Sequence, residues 1–211
     1  MKTFTADSVQ IVIELFLREE LLSMAAEDGA VRERLVADGS LFDGYNPLMA
    51  IVHRRNGDRL SEMVEAHGWP GRSLVGEDGA DAAWLVLHHA IGSPELQRRC
   101  LPLLEEAVEL GDVPAWHAAT LLDGIRFRER RPQVYGTVFD WDGGELGPWA
   151  IEEPADVDER RALVGLPTLA EQTASVREAA AAEGDLPPAD PDARRREAEA
   201  WALSVGWREV I

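Results

Sequence analysis

The sequence predicts a mainly α protein: a compact helical bundle that carries one small β-hairpin and ends in a C-terminal helical extension. Three observations predict it. Apolar residues recur at helical spacing up to about Arg130, short glycine-marked connections separate the runs, and β-favouring residues gather only once, after Pro132. The 211 residues suit one helical domain over 1–170, with the hairpin near 133–152 and the extension over 171–211. A hydrophobic fraction of 45% is enough for a packed core.

The first helix is expected from about Asp7 to Val36, on apolar positions Val9, Val12, Ile13, Phe16, Leu21, Met24 and Leu35. Asp7 or Ser8 caps it, and Gly29 marks an interruption or kink. A second helix lies between Pro47 and Ala66, with a break expected near Asn56-Gly57-Asp58. The third spans about Asp81 to Ile91. Ser93-Pro94 starts a fourth, which runs to Leu110 and stops at Gly111. Asp112 caps a fifth, with Pro114 in its first turn, reaching about Leu122. Val134, Thr137, Val138, Phe139 and Trp141, then Trp149 and Ile151, favour strands, and Asp142-Gly143-Gly144 supplies the hairpin turn. The chain is helical again from Asp156 in two pieces broken at Gly165-Leu166-Pro167. A linker over 184–191 precedes a last helix from about Asp192 to Ser204.

A formal charge of -18, from 21 Lys and Arg against 39 Asp and Glu, repels phosphate backbones and anionic lipid heads. Nucleic acid and membrane surfaces are therefore not expected partners. Cys100 is the only cysteine, which excludes an internal disulfide, and its place among Leu96, Leu103, Ala107 and Leu110 predicts a buried thiol. No apolar run is long enough to span a bilayer. Glu14 interrupts the run from Val9 to Leu17 and no cleavage-type sequence follows, so no signal peptide is expected and the compartment expected is the cytoplasm.

Of the five histidines, none forms the paired spacing that sets two metal ligands one helical turn apart. His88 and His89 are adjacent and point about 100° apart on a helix. No cofactor is expected, and a metal would require separate segments to converge. His67-Gly68-Trp69-Pro70 is a corner: Gly68 opens backbone angles closed to other residues, and Pro70 holds Trp69 extended. Read alone, it is a helix stop with a buried indole. Asp28 and Arg32 share a helical face, as do Trp84 and His88, while His89 turns toward the core with Leu85.

In order along the chain stand Met24, Asp28 and Arg32; His67-Gly68-Trp69-Pro70; Val75-Gly76; Ala83-Trp84-Leu85 and His89; and Gln97. Leu122-Asp123, Gln133-x-Tyr135-Gly136-Thr137 and Val157-Asp158-x-Arg160-Arg161 with Gly165-Leu166 follow. This ordered set resembles the bacterial domain-of-unknown-function family numbered 6624, over roughly residues 20 to 170. The resemblance implies a domain and candidate residues without a reaction. Gly29, His88, Gly124 and Val138 stand where the family pattern has polar side chains of another kind, three glutamines and an arginine.

Two functions follow. As an enzyme, the chain would use His67 or His89 as general base, oriented by Asp28 or Asp123, with Tyr135 donating to a developing oxyanion. Arg32 would hold an anionic group, and Trp69, Trp84 and His88 would line the substrate site. Hydrolysis or group transfer on a small molecule or peptide, in a setting such as specialised metabolism, is the expected chemistry. The alternative is an acidic binding or immunity-type protein that meets a basic protein partner through Trp141, Trp149, Trp201 and Trp207.

Overall fold

The computed structural model describes residues 6–42 and 44–209, with side chains at Ile11 and from Glu14 onward except Asp43. The fold is mainly α, with eight α-helices and one two-stranded antiparallel sheet among the described residues. The chain divides into two compact units, Met1–Glu33 with Pro47–Val113, and Arg34–Asn46 with Pro114–Ile211. No helix of the described residues is long and apolar enough to cross a membrane.

In the first unit, α1 (Ala6–Ala37) turns Leu17, Leu21, Met24 and Asp28 inward at helical spacing. The helix is continuous through Gly29, which corrects the expected kink: nothing stands within 4 Å of a Cβ there, and the neighbouring turns hold the helical conformation. The expected cap at Asp7 or Ser8, like Val9, Val12 and Ile13, lies outside the residues whose side chains are described. α2 (Pro47–His67) runs antiparallel to α1, tied by Arg59 to Glu20 and by Arg55 to Glu27. It too is unbroken. Gly57 is instead a point of close approach, where a Cβ would lie 3.2 Å from the Ala90 methyl. Buried Asn56 donates to the Met24 carbonyl at 3.2 Å.

α3 (Arg72–His89) begins nine residues earlier than expected and is interrupted at Gly76, whose φ of 75° resets the helix. α4 (Pro94–Glu109) starts with proline in its first turn, as expected. Leu21, Leu60, Leu87, Cys100 and Leu104 are fully buried in this unit.

The second unit opens its helical part with α5 (Ala115–Arg128). Pro114, not Asp112, occupies its cap position, because the Asp112 carboxylate is taken by the Ser73 amide and hydroxyl at 2.6 and 3.0 Å. β1 (Phe139–Asp142) pairs with β2 (Glu145–Pro148) across Gly143-Gly144, both at positive φ, the conformation a tight hairpin turn demands. The strands are shorter than the residues 133–152 suggested, because 133–138 is held as a loop. α6 (Val157–Leu163) and α7 (Leu169–Glu183) flank the expected break, and Thr168 with Glu171 forms a capping box on α7. α8 (Pro191–Val205), capped by Asp190, lies in the same unit, so residues 171–211 are part of it.

Candidate functional site

On the buried stripe of α1, the position that helical spacing would give to another leucine carries Asp28, which is 2% exposed. A lone buried carboxylate is costly, so the fold must supply partners. It supplies two imidazoles. His53, on the buried stripe of α2 ahead of Asn56, Gly57 and Leu60, brings Nε2 to 3.1 Å from Asp28 Oδ2. His89, at the C-terminal end of α3, places Nδ1 3.0 and 3.1 Å from Oδ1 and Oδ2. The two rings lie 5.1 Å apart. Burial alone would raise the carboxyl pKa, but the contacts from His53 and His89 outweigh it and hold Asp28 below the ordinary carboxylate range.

Buried amides hold this arrangement from both sides. Asn56 engages the carbonyl of Met24, one turn before Asp28. Gln97, fully buried on α4, donates to the carbonyls of Leu87 and His88 at 2.7 and 3.2 Å, beside His89. The His89 side chain remains 28% exposed against 10% for His53, so the triad reaches the surface through His89. Trp84 stacks on His88 at 4.9 Å with rings 14° from parallel, and the His88 ring stands 5.7 Å from that of His89. With Arg32 half-buried one turn beyond Asp28, these expected substrate-contacting residues belong to the same unit.

The structure brings Asp28 and His89 together as a pair and adds His53, which sequence reasoning did not single out. The signal was present: His53, Asn56 and Leu60 form one row of α2, so the histidine falls on a core-facing stripe. His67 does not join them. It is exposed at the end of α2, about 21 Å along the axis from His53 at 1.5 Å per residue. Gly68, at φ 77°, stops the helix there as expected, and the Trp69 indole is buried.

Asp123 and the backbone of Tyr135 meet in the second unit. Both Asp123 oxygens accept backbone N–H groups, from Val134, Tyr135 and Thr137 at 2.7 to 3.1 Å, and Oδ2 also accepts the Thr137 hydroxyl. The carbonyls of the same loop are taken by arginines. Arg160 binds that of Val134, and the fully buried Arg161 binds those of Tyr135 and Gly136. Gln133 spans Val138 and Trp149. These polar residues are the frame of a loop.

The expected partner-facing indoles are engaged within this unit. Trp207 is buried under Arg128, Trp201 packs edge-on against Tyr45, Trp149 against Phe127, and Trp141 donates to Asp185. A cleft of about 1120 Å³ lined by Trp141, Trp149, Arg177, Arg194 and Arg208 lies here too. It contains no histidine, and these arginines pair with Glu145, Asp140 and Glu199. Among the described residues, Asp28, His53 and His89 form the group whose donor atoms lie within 4.8 Å of one another.

Fold and site together define a mainly α protein with a buried carboxylate set between two imidazoles. The chain belongs to the family described as "Family of unknown function (DUF6624)", which matches residues 16–199. No curated protein matches it, and no solved structure does.

Proposed function

We propose that this protein is an enzyme that hydrolyses, or transfers a group on, a small molecule or peptide, with Asp28, His53 and His89 as its working centre. One observation carries the reading: a buried carboxylate contacts the imidazole of a histidine whose ring reaches solvent. An aspartate so placed fixes the orientation and tautomer of a histidine and stabilises its protonated form. With Nδ1 of His89 turned to Asp28, Nε2 is the nitrogen that takes a proton from an attacking water and returns it to the leaving group. Trp84 and His88 offer a flat wall beside it, and Arg32 a cation for an anionic substrate group. The cytoplasm is the compartment this reading assigns. It is supported by the lack of a membrane-crossing helix among the described residues and by a single, buried, unpaired thiol.

The test is a screen of the purified chain against chromogenic esters, amides, phosphoesters and glycosides, with and without added divalent metal. Turnover that falls by about 100-fold or more in His89→Ala, a loss of the size general acid–base catalysis supplies, is the expected result. Turnover undiminished in that variant, or none in any class, contradicts the reading.

A further inference from the structure

The same three side chains have the composition and spacing of a cation site. We propose that the centre binds one zinc-type divalent ion through the Asp28 carboxylate, His53 Nε2 and His89 Nδ1. The inference rests on the reading of these residues as the working centre. One donor atom from each side chain lies within 4.8 Å of the other two. Two ligands 3.1 Å apart, each about 2.0–2.1 Å from a zinc ion, subtend about 98° at the metal, within the range of four- to six-coordinate ions.

The donor chemistry agrees with the spacing. Two imidazoles and one carboxylate form a mixed nitrogen and oxygen set that suits zinc, and three protein ligands leave a position open for water or substrate. Closed structural sites use four. The ligands come from three helices whose backbones are already fixed, α1 and α2 by Asn56 and α3 by Gln97, so little ordering is required when the ion arrives. The partly exposed ring of His89 marks the side from which an ion and its water would enter.

With its Nδ1 on the ion, His89 would keep its ring proton on Nε2 and no longer serve as general base; the ion would instead activate the attacking water. Zinc lowers the pKa of its water to about 7, giving hydroxide at neutral pH. In hydrolysis that oxygen bonds to the electrophilic centre, the bond to the leaving group breaks, and the proton released by the water ends on the leaving group.

The experiment is titration of the full chain, stripped with a chelator, with Zn²⁺ by calorimetry and with Co²⁺ by visible absorption. One ion per chain and ligand-field bands of low symmetry are expected. Asp28→Asn and His89→Gln, which keep the volume of the side chains, and His53→Ala each weaken binding by about 100-fold or more, roughly 2.7 kcal/mol. His67→Ala, at the far end of α2, leaves it unchanged. Circular dichroism establishes that each variant is folded, and Asp28→Asn decides the matter if His53→Ala is not. Absence of stoichiometric binding, or binding equal to wild type in Asp28→Asn, overturns the proposal. Turnover that survives chelation yet is lost in His89→Ala overturns the metal alone and leaves the acid–base reading standing. Stoichiometric metal binding without turnover supports the metal and contradicts the enzyme.

Discussion

Asp28 occupies a place on α1 where burial favours a hydrocarbon. Removing a carboxylate from water costs several kcal/mol unless close partners compensate, and removing one partner of a buried ion pair costs about 3–5 kcal/mol. His53 and His89 are those partners. Asp28 and His89 were legible in the sequence as candidates because both stand in the ordered set that resembles the family, and His89 also turns toward the core side of its helix. Which of Asp28 and Asp123 meets His89, and that His53 joins them, was not, since these helices are joined only in space. Cys100 illustrates the opposite case, a residue whose role its local pattern reveals. Its apolar row predicted burial, and burial pushes the thiol from its ordinary 9.0 up to about 11. The raised value favours the folded state while the thiol is protonated in both states. That advantage is complete below about pH 9 and is lost as pH rises toward 11. Stability measured by urea unfolding should therefore fall across this window by on the order of 2 kcal/mol more in wild type than in Cys100→Ala. Identical pH slopes in the two proteins would contradict the burial account.

Helices were the most readable elements, and the break read at Gly57 has a clear physical cause. Asn56-Gly57-Asp58 and Gly29 carry the composition of a break, yet α1 and α2 run through them. At Gly57 the missing side chain lets Ala90 and Leu96 approach, and Asn56 finds its partner on another helix. Local composition cannot distinguish a helix stop from a helix contact. The loop 133–138 was misread for a similar reason: Val134, Thr137 and Val138 favour strands, but Asp123, Arg160 and Arg161 take up the backbone groups that a strand would pair. Gly136 tests this frame. Its φ is 68°, and a Cβ there would meet Ile151 Cδ1 at 2.6 Å and Leu169 Cδ1 at 3.0 Å. Gly136→Ala should lower stability by about 1–2 kcal/mol, the left-handed backbone cost, because the ends of the Ile151 and Leu169 side chains can shift aside. Adding Ile151→Ala leaves that backbone cost in place. A denaturation midpoint unchanged in Gly136→Ala would refute the description of the loop.

For the whole molecule, two groups among the ordered residues that mark the family have separate places. Those in the first unit, Asp28 and His89 with Gln97 behind them, build a centre. Those in the second, Asp123, Gln133, Arg160 and Arg161, build a loop frame. The sequence pattern placed Asp28, His89 and Asp123 in one acid–base set because order along a chain carries no such division. Three of the four departures from the family pattern also separate this way. His88 stacks on Trp84 beside the centre, while Gly124 and Val138 belong to the frame, where Gly124 accepts from Arg128 and Val138 pairs with Gln133. The net charge of -18 remains a property of the surface and identifies no substrate. The proposed reaction requires Asp28 and His89 to act as one unit. A double-mutant cycle on kcat/KM with Asp28→Asn, His89→Ala and the combined variant measures this directly. Residues of one centre lose activity together, so the double variant should be no slower than His89→Ala within about threefold. Losses that multiply, or a kcat/KM that either single variant leaves intact, would contradict it.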